Sequence, residues 1–319
     1  MWKMLSVSII IPVYNAEKTI GMILDKLLEQ NYDKNYYEVI LIDDDSKDQS
    51  VSIIEDYVKQ HSNIKLYVNS KNQGRSKTRN NGIFHASNEL LLFLDADCIP
   101  KSKNFIKSHV DFHNRRKNAI GIGSVYFPET SQNPFDKFRD NRENIRNRRI
   151  NHENLDFVFL STANMSISKK NILDLGGFDE EFKYWGAEDI ELGYRAFKKN
   201  LTIGMVDMEG DVLHYDERVN LETYVKRIFY FSKYNIPILL KKHPDIINHF
   251  NNYKLLEPIS FSNKYLIKKI FVQFVVTRFH GVFKWLINKG WFMNSKYSTF
   301  LYKLYVAKFY LEGVKERQI

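Results

Sequence analysis

Cysteine occurs once in these 319 residues, at Cys98, so no internal disulfide can brace the fold. A lone thiol beside acidic residues serves either as a nucleophile or as a small buried side chain, and burial is the expected reading. No run of about 18 residues is free of charge, which leaves no sequence candidate for a transmembrane helix. Low-complexity tracts are also missing, so nothing marks a disordered region. Residues 1–5 carry only Lys3 before the first apolar run, and no small-residue cleavage site follows. The expectation is a cytoplasmic protein, free or peripheral on the cytoplasmic face of the plasma membrane.

What is present fits a globular chain with one large core or two modest ones: 44% apolar and 27% charged residues. Charge is unevenly spread. Residues 1–220 carry a net charge of −3 and residues 221–319 a net charge of +12, within a total of +9. The basic, aromatic-rich tail suits an anionic partner, whereas the first segment collects acids for another purpose.

Val7–Val13 is a β-branched run closed by Pro12 and Asn15, and residues 16–30 then space Ile20, Ile23, Leu24, Leu27 and Leu28 as a helix does. Residues 37–42 read as a second strand running into Asp43, Asp44, Asp45 and Ser46, with a helix over residues 50–60 behind it. Ile64–Val68, a helix over residues 76–86 and an apolar strand over residues 89–94 repeat the unit. A helix over residues 104–114 and a strand over residues 120–127 follow. This alternation implies an α/β fold with a mainly parallel, doubly covered sheet and functional loops at the strands' carboxyl ends. Residues 12–15, 43–46 and 95–97 should therefore share one edge and build one site.

Asp95-Ala96-Asp97 places two carboxylates at the end of a buried strand, where their charge needs balancing. Mn²⁺ or Mg²⁺ would do so, with a diphosphate completing the shell, although an acidic turn is the simpler account of the pattern alone. A second cluster, Trp185-Gly186-Ala187-Glu188-Asp189, follows Gly176-Gly177-Phe178-Asp179 and also reads as an acidic helix start. Arg139, Arg142, Arg146, Arg148 and Arg149 crowd residues 136–150, either as a solvated basic helix or as a phosphate clamp.

The order Pro12-Val13-Tyr14-Asn15, Asp43-Asp44-Asp45-Ser46, Asn72-Gln73-Gly74 with Arg79-Asn80, then Asp95-Ala96-Asp97, resembles the family 2 glycosyltransferases of the GT-A fold over residues 6–218. Trp185 to Asp189 resembles the W-G-x-E-D segment of inverting galactosyl- and N-acetylgalactosaminyl-type transferases, chondroitin-polymerase-like enzymes among them. The resemblance implies a GT-A domain over residues 1–220, and a helical extension over residues 221–319 follows it. It implies that Pro12, Tyr14, Asn15 and Glu17 embrace the nucleoside of a UDP-sugar and that Asp44 accepts a hydrogen bond from uracil. Asp45 departs from the glycine usual there. Arg79 would lie near the diphosphate or orient one of the acids, Asp95 and Ala96 would bind the donor, Asp97, His214 and Asp95 would hold the metal, and residues 161–168 would lie along the donor sugar. Trp185 would meet a sugar face, Glu188 sugar hydroxyls, and Asp189 would take the acceptor's proton. Asp rather than Asn at 189 points to inversion.

The acceptor implied is a glycan or lipid-linked glycan of a cell-surface polysaccharide or glycolipid pathway. After Glu222 helices dominate, and residues 264–289 mix Phe271, Phe274 and Phe279 with Lys268, Arg278 and Lys284. Two readings stay open there: a membrane-surface segment, or packing on the catalytic domain or in a homodimer. No nucleic-acid motif accompanies the charge. A sugar-nucleotide pyrophosphorylase would need a Gly-rich, Arg-containing loop after the first strand, which residues 12–15 do not supply. A non-catalytic nucleotide-sugar-binding protein would be expected to lack a metal ligand or the base.

Overall fold

The computed structural model describes residues 4–127, 135, 138, 154–215, 219–249, 266–290 and 296–317. The expected arginine cluster at 139–149 lies outside them. The chain divides into two compact units: described residues up to 127 with 154–183 and 188–215 form the first, and residues 135, 138, 184–187 and 219 onward form the second.

The first unit opens as β1 (Val7–Val13), α1 (Ile20–Leu28), β2 (Tyr37–Asp43), α2 (Ser50–Gln60), β3 (Ile64–Val68), α3 (Arg75–His85) and β4 (Leu90–Leu94). It continues with β5 (Cys98–Pro100), α4 (Phe105–Arg115), β6 (Ala119–Ile122) and β7 (Val125–Tyr126). β8 (Asn164–Ser168), α5 (Lys169–Leu175), α6 (Glu188–Lys198), β9 (Thr202–Met205) and β10 (Val212–His214) complete it. Seven strands form one sheet in the order β3-β2-β1-β4-β8-β6-β9, and β5-β10-β7 form a small second one. β1 to β4 are mutually parallel, as the alternating pattern requires, because each crossover returns through a helix. β8 runs antiparallel between β4 and β6, so the sheet is mixed but mostly parallel.

Both faces of β1, β2 and β4 are covered, which explains runs without polar alternation. α1 buries Ile20, Ile23, Leu24 and Leu27, the stripe its spacing predicts. α3 lies so close to the sheet that a Cβ on Gly82 would fall 2.2 Å from Ile10 Cγ2.

The expected strand over 120–127 is two strands in different sheets. Gly123 N still donates to Asn164 O at 3.0 Å, but Ser124 O already accepts from Val212 N at 3.0 Å. The chain changes partners at a glycine whose Cβ would lie 2.2 Å from Gly210 O.

In the second unit come α7 (Leu221–Tyr230), a π-helical turn (Phe231–Asn235), α8 (Ile236–Lys242), α9 (Leu266–Arg278), α10 (His280–Asn288) and α11 (Lys296–Lys315). Asn220 and Thr223 close a reciprocal cap on α7, which satisfies backbone donors the helix leaves open. Tyr184 stacks on Tyr234 with centroids 4.5 Å apart, and Trp185 packs edge-on near Tyr224 and Phe231. Asn235 Nδ2 donates to the carbonyls of Tyr184 and Trp185 at 3.1 and 3.2 Å, and to that of Gly186.

Candidate active site

The register of β1, Val13 opposite Asp43, sets the loops after both strands side by side. Asn15 N donates to Ser46 Oγ at 2.9 Å and Lys47 N to Asn15 Oδ1 at 2.8 Å. Glu17 accepts from Gln49 N at 3.0 Å, ahead of α2. Tyr14 remains exposed beside them, and Pro12 is the penultimate residue of β1. Asp45 adopts φ +69°, the left-handed turn that glycine would otherwise supply. The turn is thus kept despite the substitution.

Asp44 is buried and already engaged. Its Oδ1 accepts from Asn69 Nδ2 at 2.9 Å and Gln73 N at 2.8 Å, and its Oδ2 from Gly74 N at 2.9 Å. One carboxylate thereby fixes the loop that starts α3. A carboxylate offers about four acceptor positions, so three internal donors leave room for one more.

β4 ends at Leu94 and delivers Asp95-Ala96-Asp97. Asp95 N donates to Ala163 O, Thr19 Oγ1 to Ala96 O at 2.6 Å, and Tyr215 N to Asp97 O at 2.8 Å. Three separate elements therefore hold the turn. Antiparallel pairing of β5 with β10 puts His214 opposite Cys98, and His214 Nε2 lies 3.2 Å from Asp97 Oδ1. A carboxylate oxygen and an imidazole nitrogen so placed fit Mn²⁺ or Mg²⁺, with open positions left for phosphate oxygens. Cys98 is buried, and its sulfur joins the group, all three ligand atoms lying within 4.8 Å of one another. A soft thiol adds little for such hard cations.

Asp95 turns elsewhere. Its Oδ1 accepts from Arg79 Nη2 at 2.7 Å, and Arg79 Nη1 lies 3.7 Å from Glu188 Oε1. Arg75 approaches the same Glu188 oxygen at 3.4 Å. Arg79 and Glu188 are both buried, and Arg79 Nε and Nη1 and Glu188 Oε2 lack a hydrogen-bond partner among the described residues. Such orphaned buried atoms mark a place where a polar ligand would be gained. Burial opposes the Arg79 charge, yet Asp95, Asp189 and Glu188 together hold its pKa above the usual guanidinium range. Burial pushes the Glu188 carboxyl up, against Arg75 and with the help of Asp189.

Asp189 begins α6 next to Glu188, is partly exposed, and accepts from Thr162 Oγ1 at 2.6 Å. Of residues 161–168, expected along the donor sugar, Thr162 does reach Asp189, but the stretch 164–166 needs correction. Asn164, Met165 and Ser166 are wholly buried, and Ser166 and Asn164 bind the two ring nitrogens of His109 at 2.9 and 3.1 Å. They brace α4 against the sheet and cannot line an open pocket. Trp185 belongs to the second unit, while Glu188 and Asp189 belong to the first. Arg75 and Asn69 escaped the reading of the sequence, since a lone polar residue carries no spacing signal.

A family model described as Glycosyl transferase family 2 matches residues 8–175, more than half of the chain. The chain belongs to this family. In this family 2 glycosyltransferase, residues 151–218 also match a model described as the N-terminal domain of galactosyltransferase. The chain is 30% identical over 258 residues to chondroitin synthase of Pasteurella multocida (strain Pm70), covering 70% of this chain and 26% of the relative. Chondroitin synthase of Escherichia coli is 30% identical over 254 residues, covering 69% and 36%. The chain thus spans about a quarter to a third of these relatives' length.

Among solved structures, a mannosyltransferase from Pyrobaculum calidifontis in complex with GDP-Man and Mn²⁺ superposes with a TM-score of 0.63 at 15% identity, over 98% of this chain and 86% of that one. S. aureus TarS 1-349 in complex with UDP-GlcNAc gives 0.55 at 18% identity, over 98% and 91%. The fold is GT-A.

Proposed function

We propose that the protein is an inverting, metal-dependent transferase that moves a hexosyl or N-acetylhexosaminyl group from a UDP-sugar to a hydroxyl of a glycan or lipid-linked glycan. The observation that carries this reading is the pair Asp97–His214, brought to 3.2 Å by the pairing of β5 with β10, at the edge where Asp44 and Arg79 also converge. The relatives described as chondroitin synthases support a role in polysaccharide synthesis.

Asp97 and His214 would hold Mn²⁺ or Mg²⁺, which supplies positive charge to the departing diphosphate. Arg79, fixed by Asp95 and Glu188, adds a preorganised cation, so little reorganisation is needed as charge develops. Asp44 and the loop of residues 12–17 hold the nucleoside, with Asp44 offering its remaining acceptor position to the uracil imide. Trp185 is assigned to a sugar face, as its resemblance implies.

Asp189 stands on the acceptor side of the reaction. Thr162 occupies Oδ1 and orients the carboxylate, leaving Oδ2 to take a proton. As the acceptor oxygen bonds to the anomeric carbon, its proton passes to Asp189. The bond from that carbon to the diphosphate breaks, and its electron pair leaves with UDP. One displacement inverts the anomeric centre.

The test is UDP and GDP release from a panel of nucleotide-sugars with Mn²⁺, with and without acceptor oligosaccharides, alongside Asp97→Ala and Asp189→Asn. Metal-dependent UDP release from one donor, lost in both variants, is the expected result. Absence of both release and calorimetric binding with every UDP-sugar would overturn the reading.

A further inference from the structure

α9 is built inside out. Ile267, Ile270, Phe271 and Phe274 recur at i, i+3, i+4 and i+7, so they share one helix face. That face points to water, and Val282 and Trp285 of α10, beyond the bend, are exposed as well: these six side chains are between 49 and 85% exposed. Lys269 and Val276, on the opposite side of α9, are buried. Stability of a lone globule would favour the reverse, because exposed Phe and Ile gain nothing in water. The pattern makes sense if the outward face has an apolar occupant.

Charge identifies the occupant. From Pro258 to Leu311 the chain carries nine Lys and Arg and no Asp or Glu. A second copy would bring the same cations against themselves, and like charges oppose that contact. An anionic bilayer surface matches both properties: headgroups for Lys268, Arg278 and Lys284, and acyl boundary for the aromatic face. Crossing the membrane is a poorer fit. No single described helix is long and apolar enough, α9 and α10 meet at a bend of 54°, and the 13 residues of α9 reach about 20 Å against a core of about 30 Å.

We propose that α9 and α10 lie in the surface of an anionic membrane, with Phe271, Phe274 and Trp285 inserted below the headgroups. This docking is independent of the transferase reading and would fail or stand without it. It would hold the enzyme in the plane where a lipid-linked acceptor resides.

The experiment is flotation of the purified full chain with mixed phosphatidylglycerol–phosphatidylcholine vesicles and with pure phosphatidylcholine vesicles. The chain should float with the anionic vesicles only and be released by high salt. Phe271→Glu combined with Phe274→Glu should weaken binding at least roughly tenfold, with unchanged helix content by circular dichroism. Lys268→Ala combined with Lys284→Ala should weaken it by about fivefold per cation, which carries the test if the first variant misfolds. Failure of the unaltered chain to float, or equal flotation of both variants, would overturn the proposal. So would a solution dimer by light scattering that Phe271→Glu with Phe274→Glu dissolves while vesicles go unbound, since the face would then be a self-interface. Retention through alkaline carbonate would likewise overturn it, in favour of deep insertion.

Discussion

The first unit buries Arg79, Glu188, Asp43 and Asp44 and covers its apolar strands on both faces, whereas α9 of the second buries Lys269 and turns Phe271 and Phe274 to solvent. The contrast separates two uses of charge. In the first unit the buried Arg79 charge is worth its desolvation because it is paired and aimed, toward Asp95 and Glu188. In the second, cations spread over a surface act collectively and at longer range. Substitutions should therefore be punished in the first unit and tolerated on the outward face of the second.

The sharpest break comes at the proposed base. Asp189→Asn should lower turnover by about 10²- to 10⁴-fold while donor affinity by calorimetry stays within about twofold. Next, Arg79→Ala strips the buried counterion from Asp95 and Glu188 and should cost about 3–5 kcal/mol in urea unfolding. Replacing Arg79 and Glu188 together by Met should recover part of that loss, which an exposed pair would not do.

Acid should reach the first unit through His109 and His113. Burial lowers their pKa values from 6.5 to about 3 and about 4. The unfolded chain then binds more protons than the native one below about 6.5, so stability falls as pH drops from there toward 4. With both histidines contributing, the slope should approach about 2.7 kcal/mol per pH unit, and His113→Gln should roughly halve it. For the metal, His214→Ala should weaken Mn²⁺ binding in the presence of UDP by on the order of 10- to 100-fold, with an unchanged unfolding midpoint. Smallest of all, Phe274→Glu should alter stability by less than about 0.5 kcal/mol, since its side chain faces water.

Much of the first unit was legible because its strands are long, apolar and punctuated by polar loops. Val7–Val13 and Ile64–Val68 form with the predicted bounds. That residues 12–15, 43–46 and 95–97 follow strand ends on one edge came from the parallel direction that strand–helix alternation imposes. What escaped depends on partners in space. Residues 119–126 alternate in a way that suits either sheet, and only Gly123 and Asp211 decide where the chain changes over, Asp211 accepting from Ser124 N. Asp95 and Asp97 look equivalent in a D-x-D string, yet successive turn residues point apart, one to Arg79 and one to His214. Amphipathic spacing showed a stripe in α9 but gave no direction, and the apolar side proved to be the outer one.

The division of the W-G-x-E-D segment bears on recombination. Tyr184, Trp185 and Gly186 are held through their carbonyls by Asn235, which lies well beyond the last residue of the family match at 175 and of the second match at 218. A chimera with its crossover near residue 220 would inherit the motif from one parent and its clamp from the other. Donor-specificity swaps should therefore carry the asparagine-bearing turn, Phe231–Asn235, along with the grafted segment.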